Sequence, residues 1–359
     1  MIDGIAKYGK STFGGLKTVL SRTTELKNLR KTMRHMELSK LTPQEEKEAK
    51  EYWSRLPLRF YLSECHVFKT LAGFDKRFLP IDLYYPYIKK SLNPDKYTFS
   101  LGHKALFHNL YSGFLQPVTI VVCIRGTYFD SSRHVIDKAA AIEKIKAYTQ
   151  CIIKPTIETR CGKGVTIIHP SKSDINTLLD EHGEDFIVQE ILQQSAQTAQ
   201  FNPHSLNTFR VTSLFINSKV SICAISFKFA QGANVVDNLR AGGLMISVDE
   251  DGQFHDFALD HAFVKHYEHN DGRKFSSFKI HEVSKIAQLI KEQHPLVLPN
   301  LGIVGWDIAL DSHNEPVLIE PNVWYPGIQF SQHCAQRPFF GDRTDEVIDY
   351  VLTHPPVLF

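Results

Sequence analysis

The chain has 359 residues, 43% hydrophobic and 22% charged, the composition of an ordinary soluble protein with room for one large or two ordinary domains. Its 41 Lys and Arg against 39 Asp and Glu leave a net charge of +2, so bulk electrostatics nominates neither a nucleic acid nor a membrane as partner. The cysteines lie far apart with no CxxC pair, no apolar run could span a bilayer, and the first residues lack the apolar core of a secretory signal, which together predict a reduced, cytoplasmic protein.

Gly4 to Ser11 (GIAKYGKS) matches the phosphate-loop pattern letter for letter. That loop works only between a buried strand and a helix N-terminus. Too little chain precedes Gly4 to supply the strand, so the match reads as fortuitous. Residues 16–36 carry Lys17, Arg22, Lys27, Arg30, Lys31 and Arg34 against Glu25, with leucines at helical intervals. This basic amphipathic helix reads as a terminal helix packed on the body, the alternative being a docking face for a membrane surface or a partner enzyme. Thr42-Pro43-Gln44-Glu45 is a capping box with proline at the first helical position. Aromatics and prolines then alternate up to Tyr97, predicting a mainly helical N-terminal region over 1–95 that ends at Asn93-Pro94-Asp95.

From about Tyr97 strands and helices alternate. His103–Tyr111 reads as a helix, Val118–Ile124 as a strand, Ser132–Tyr148 as a helix and Cys151–Lys154 as a short strand. The loop from Glu158 to Val165 holds Gly162 and Gly164, which would let backbone N–H groups approach an anion, with Lys163 adding charge. A strand to Ile168, a helix over 175–181 and a strand over 186–192 follow, then a glutamine-rich connector. Hairpins turn at Asn217-Ser218 and at Asp249–Gly252, and a helix from Ile280 stops at Pro295.

The stretch from Gly302 to Gly327 reads as another hairpin, one face buried, that carries Asp307, Glu320 and Asn322 to one end of the sheet. Two carboxylates and an amide are hard oxygen donors suited to Mg²⁺, which keeps several waters and takes other ligands from phosphate. His255, His261, His266 and His269 have no zinc-site spacing and read as surface residues.

Taken in series, from about His103 to Gln332, these pieces resemble the ATP-grasp superfamily, and within it the sugar-transfer-associated branch. The most specific part is Asp307 followed thirteen residues later by Glu320-x-Asn322. The resemblance implies an ATP-grasp fold of class α+β (α/β): two subdomains clamp ATP within 96–359, a lid over about 142–192 and a metal-binding part over about 196–340. It makes Asp307, Glu320 and Asn322 ligands of two Mg²⁺ ions, with Mn²⁺ as the alternative. Lys104 and Lys154 become the phosphate lysines, and Lys163 and Gly164 part of a glycine flap. Gln189 or Glu190, with Leu192, becomes the hinge that reads adenine. Asn207 and Arg210 match the branch's Asn-Thr-x-Arg motif, and Asn238 with Gly242 and Gly243 its next one. Trp306 stands where several ligases place an arginine that holds an acyl phosphate, so that work would pass to Arg210, Lys228 or Arg240. The implied activity is an ADP-producing carboxylate–amine ligase acting on small molecules, in surface polysaccharide or peptide-conjugate biosynthesis. A phosphotransferase on the same fold and a non-catalytic nucleotide-binding scaffold for glycosyltransferases are the alternatives.

Overall fold

The computed structural model describes residues 36–356 apart from residue 99 and the segments 158–163, 233–238 and 240–241. The Gly4–Ser11 match, the basic helix before Met36, Lys163, Asn238 and Arg240 lie outside the described residues.

A six-stranded antiparallel sheet in the order β3-β2-β1-β6-β4-β5 is built from β1 (Thr119–Ile124), β2 (Thr127–Asp130), β3 (Val135–Ile136), β4 (Cys151–Pro155), β5 (Thr166–Ile168) and β6 (Phe186–Glu190). Arg125 and Gly126 both take positive φ, the left-handed pair that matches a two-residue hairpin turn to the twist of β1 and β2. The helix expected over Ser132–Tyr148 is therefore shorter. Its first residues form the β2–β3 hairpin, and α3 (Lys138–Lys146) begins only after Asp137 caps the N–H of Ala140. One face of this sheet buries Ile120, Cys151, Ile153, Phe186 and Val188 under α3 and α4 (Ile175–His182). The opposite face carries Ile187 and Gln189, with Ala105 packed on it.

A seven-stranded antiparallel sheet in the order β11-β10-β9-β8-β7-β12-β13 forms the second layer. Its strands are β7 (Thr208–Ile216), β8 (Lys219–Phe229), β9 (Leu244–Val248), β10 (Phe254–Leu259), β11 (Lys265–His266), β12 (Ile303–Leu310) and β13 (Pro316–Asn322). Both predicted hairpin turns are present, Asn217 and Ser218 with positive φ between β7 and β8. The helix from Ile280 is α5 (Glu282–Val297), and it runs through Pro295 instead of stopping there, because a proline in the last turn forfeits little of the hydrogen-bond ladder. Val283, Ile286, Ala287 and Ile290 of α5 join Phe209, Val211, Phe227, Trp306 and Ile308 in the largest core.

The other face of this sheet is covered in part by α6 (Gln329–Ala335) and by the mainly helical N-terminal region. Thr42 caps α1 (Pro43–Trp53) with the full capping box. Trp53, Leu83, Tyr84 and Ile88 pack with Leu214, Ala224 and Ile303 of the sheet and with α7 (Thr344–Thr353). In α2 (Ser63–Ala72), Glu64 is buried and accepts from the Ile81 N–H and from Gln329. Every residue of β12 is buried, so the last hairpin has two covered faces where the sequence predicts one. No helix among the described residues is long and apolar enough to cross a membrane.

Two histidines pack in these layers without charge. Burial pushes His294 down to about 4 and His333, between Phe68 and Phe263, down to about 3. The unfolded chain binds protons on both below about pH 6.5, whereas the folded protein resists them, so their contribution is complete above that pH and is lost as pH falls. The unfolding free energy measured by urea denaturation is expected to fall as pH drops below about 6.5, by up to about 1.4 kcal/mol per pH unit for each histidine.

Candidate functional site

Register decides which side chains meet. Asp307 of β12 lies opposite Arg210 of β7 on one side and Glu320 of β13 on the other, and Gly305 lies opposite Thr212 and Asn322. These rows face away from the α5 core. The three oxygen-bearing residues thus gather on one face toward the open end of the hairpin, Asn322 being the last residue of β13.

Asp307 is 5% exposed and is held by two cations. Arg210 donates Nε to Oδ1 at 2.5 Å and Nη2 to Oδ2 at 2.8 Å, while Lys228 Nζ stands 3.2 Å from Oδ1. Burial alone would raise the Asp307 pKa, but Arg210 and Lys228 outweigh it and hold the carboxyl well below its usual range. Gly305 makes room for this arrangement: a Cβ there would meet Arg210 Cδ at 3.3 Å, so the guanidinium stem packs over the glycine. Asn322 donates Nδ2 to Asp307 Oδ2 at 3.3 Å, which turns its carbonyl oxygen away from the pair.

A second group adjoins the first. Lys104 Nζ lies 3.4 Å from Glu320 Oε2. Lys154, on β4 of the other sheet, is half-buried and has no acid at ion-pair distance among the described residues. Burial pushes its ammonium down to about 8, with repulsion from Lys104 adding and Glu320 opposing. The Lys104 N–H donates to the Thr156 carbonyl at 2.8 Å, which ties the chain before β1 to the end of β4. Beside these lysines in the chain, His103 Nδ1 and Thr156 Oγ1 are buried without a hydrogen-bond partner.

The strand β6 presents Gln189 and Glu190 to opposite faces. Gln189 lies level with Ile152 and Thr119, on the face away from α3 and α4, and donates Nε2 to the Pro117 carbonyl and to Thr119 Oγ1. Its Oε1 is buried with no donor. Glu190 turns to the other face, where its charge adds to burial in raising the Tyr148 pKa. Leu192 continues this strand into the connector as partly buried chain.

Three expectations need correction. Asn207 is fully buried and its amide is spent within the connector, donating to Gln194 Oε1 at 3.0 Å, the Thr198 carbonyl at 2.9 Å and the Asn202 carbonyl at 2.8 Å. It clamps the loop and has no donor left for a nucleotide. Asn207→Ala is expected to cost about 1–3 kcal/mol in urea denaturation while leaving the nucleotide affinity of the folded fraction unchanged. Trp306 faces the core, stacked on Phe114, with Nε1 donating to Ser213 Oγ at 2.8 Å above a buried Ser213–His294 contact. A side chain at 306 points away from Asp307 whatever its identity, so Trp306 says nothing about the acceptor. Gly305 is the β12 position that faces the site. Finally, Asp307 does not offer two open oxygens, because Arg210, Lys228 and Asn322 already occupy them.

Other placements are simpler. Gly164 has φ +75° and its absent Cβ would fall 2.9 Å from Pro155 Cγ, so only glycine fits at the end of that loop. His255, His266 and His269 each lie beside their own aspartate, Asp249, Asp260 and Asp271. Thr212, with a buried and unpartnered hydroxyl in the Gly305–Asn322 row, was missed, since nothing but strand register marks it.

The donor set fits a hard divalent cation through the Glu320 carboxylate and the Asn322 carbonyl. An ion could take an Asp307 oxygen only by replacing one of its N–H contacts, since a carboxylate has about four lone-pair positions. The unpartnered Gln189 Oε1 fits an amino group such as that of adenine, and the two lysines fit a polyphosphate.

A profile of sugar-transfer associated ATP-grasp proteins matches residues 85–345. A comparison with curated proteins finds no match. Among solved structures, the D-alanyl-alanine synthetase A of Vibrio cholerae O1 biovar eltor is similar at 10% identity and TM-score 0.46, over 73% of this chain and 67% of that one. D-cycloserine synthetase DcsG is similar at 14% identity and TM-score 0.43, over 73% of each chain. The ATP-grasp ligase PsnB, solved with a precursor variant, Mg and ADP, is similar at 12% identity and TM-score 0.41, over 87% of this chain and 75% of that one. With that profile covering most of its length and two antiparallel sheets facing each other across the lysines and carboxylates, the chain belongs to the sugar-transfer associated ATP-grasp family.

Proposed function

We propose that this protein is an ATP- and Mg²⁺-dependent carboxylate–amine ligase. A carboxylate oxygen of the acid attacks the γ-phosphorus, ADP leaves, and an amine displaces phosphate from the acyl phosphate to form an amide. The observation that carries the reading is the convergence of two lysines, Lys154 of one sheet near enough to Lys104 to be repelled by it, with Glu320 of the other sheet 3.4 Å from Lys104. Desolvated positive charge of this kind is costly unless a polyanion shares the site. Gln189, placed on the same face of its sheet as Lys154, supports adenine beside the lysines, its Oε1 accepting from the exocyclic amino group.

In this reading Glu320 and Asn322 would hold Mg²⁺. The metal supplies charge neutralisation of the phosphate oxygens. Lys104 and Lys154 spread positive charge over the transferred phosphoryl group, where in-line positioning and electrostatics do most of the work. Arg210 and Lys228, fixed by Asp307, lie beside the metal residues and are suited to the acceptor carboxylate and its acyl phosphate. A lid over about 142–192, part of a sheet that begins with β1 at Thr119, would exclude water from that anhydride. The family's description supports a setting in surface polysaccharide or peptide-conjugate synthesis.

Screening carboxylic acids for ATP-dependent ADP release with hydroxylamine as nucleophile tests the reaction. A hydroxamate from one acid class supports ligation. ADP release that yields a stable phosphate ester and no hydroxamate would replace ligation with phosphotransfer. Nucleotide affinity is also expected to weaken as pH rises through about 8, by up to tenfold per unit, because neutral Lys154 loses its charge on the phosphates. Equilibrium titration of a non-hydrolysable ATP analogue from pH 7 to pH 9.5 checks this, and Lys154→Met should flatten the profile.

A further inference from the structure

The sequence marks Asn93 as a place where the chain changes character, and in the fold it holds the metal-bearing hairpin together. It ends the short helix Lys89–Leu92, its N–H donating to the Lys89 carbonyl at 2.7 Å, and its side chain is fully buried. Nδ2 donates to the Ile303 carbonyl at 2.7 Å and to the Val323 carbonyl at 2.9 Å, while Oδ1 accepts from the Ile303 N–H at 2.9 Å. A primary amide here pairs with both polar groups of the Ile303 peptide, as a neighbouring strand would, and uses its second N–H to reach the other strand of the hairpin.

The location matters more than the number of bonds. Ile303 is the first residue of β12, and Val323 follows Asn322, the last residue of β13. The loop 311–315 closes the hairpin at its far end; at this end no turn joins the strands, and Asn93 bridges them. The bridge lies two residues from Gly305 on β12, and Gly305 is the partner of Asn322. Adjacent backbone bonds press the same segment into place: the Gly302 N–H donates to the Leu92 carbonyl at 2.7 Å, and a Cβ at Gly302 would fall 2.9 Å from Leu92 Cδ2. The Val323 carbonyl is thus pinned one residue beyond Asn322, which fixes the peptide from which the Asn322 side chain reaches toward Asp307.

We propose that Asn93 is a positioning residue of the metal–nucleotide site, setting the aim of Asn322 through Val323, and that the N-terminal region contributes to the site in this way. The inference rests on the ATP and Mg²⁺ reading above. Partners that orient metal ligands in this manner change metal affinity when removed, by about 10- to 100-fold.

The test uses the full chain and Mn²⁺ as the probe, with bound metal read by electron paramagnetic resonance in the presence of a non-hydrolysable ATP analogue. Asn93→Asp keeps the shape and removes both donors; Asn93→Ser is the milder companion should the first fold poorly. Arg55→Ala is the control, since Arg55 ties the N-terminal region to Asp345 and Asp349 of α7 without touching the hairpin. The expected result is Mn²⁺ affinity weakened about tenfold or more in the Asn93 variants and unchanged in Arg55→Ala, all measured below their unfolding temperatures. Unchanged Mn²⁺ affinity in the folded Asn93 variants, or equal losses in Arg55→Ala, would overturn the positioning role while leaving the parent reading intact. A wild-type protein that binds no Mn²⁺ with the nucleotide analogue would overturn both.

Discussion

Asp307→Ala is expected to destabilise the free protein by about 3–5 kcal/mol, a cost felt before any ligand is added. The carboxylate is 5% exposed and serves as shared counter-ion to Arg210 and Lys228, themselves largely buried. Removing it leaves two desolvated cations short of the charge that holds them, which costs more than the pair contributes in place. Thermal and urea denaturation without nucleotide measure this directly. A residue whose whole role was to bind a metal would show no such loss in metal-free buffer. Asp307→Asn, which keeps the shape, should lose less stability and still fail to hold the Arg210 fork in its bidentate geometry.

Glu320→Gln is expected to behave in the opposite way. Its carboxylate is 34% exposed and its only ion-pair partner among the described residues is Lys104 at 3.4 Å, so the variant should fold with nearly wild-type stability. ADP release, in contrast, should fall by ~100-fold or more, the scale of removing one group that stabilises charge in a transition state. Measured side by side, the two variants separate what the adjacent acids do. The expected division is that Asp307 carries stability and orients cations, whereas Glu320 serves the proposed metal and phosphate chemistry. Equal loss of stability in both would contradict the division.

Much of this arrangement is legible in the sequence because it depends on local signals. The capping box at Thr42 and the Asn217-Ser218 turn each encode their own geometry, and both appear as read, as does the turn at residues 311–315 that closes the last hairpin. Asp307, Glu320 and Asn322 share a face because the register slips by one residue between the Ile308–Leu318 and Asp307–Glu320 pairs, a bulge at Ile319 that the hairpin turn does not dictate. The misreadings arise where partners are distant in sequence. Asn207 looks like a ligand residue until the connector folds over it, since Gln194, Thr198 and Asn202 are the acceptors that absorb its donors. Trp306 and Gly305 exchange meanings because a side chain's face is a matter of strand register, and one residue is enough to turn it from site to core. The β2–β3 hairpin takes the first residues of the stretch that reads as a helix from Ser132, turning with Arg133 at positive φ, since an arginine in left-handed conformation is uncommon. Asn93 is legible only as part of a boundary turn; its three bonds reach Ile303 and Val323, more than 200 residues away.

The central claim is that the two sheets hold Mg²⁺ and ATP between Lys104, Lys154 and Gln189 on one side and Glu320 with Asn322 on the other. A crystal structure with Mg²⁺ and a non-hydrolysable ATP analogue tests it most directly. The account predicts phosphate oxygens on Lys104 and Lys154, the cation on Glu320 and Asn322, and the adenine amino group donating to Gln189 Oε1. Nucleotide bound elsewhere, or a cation that touches neither Glu320 nor Asn322, would contradict it.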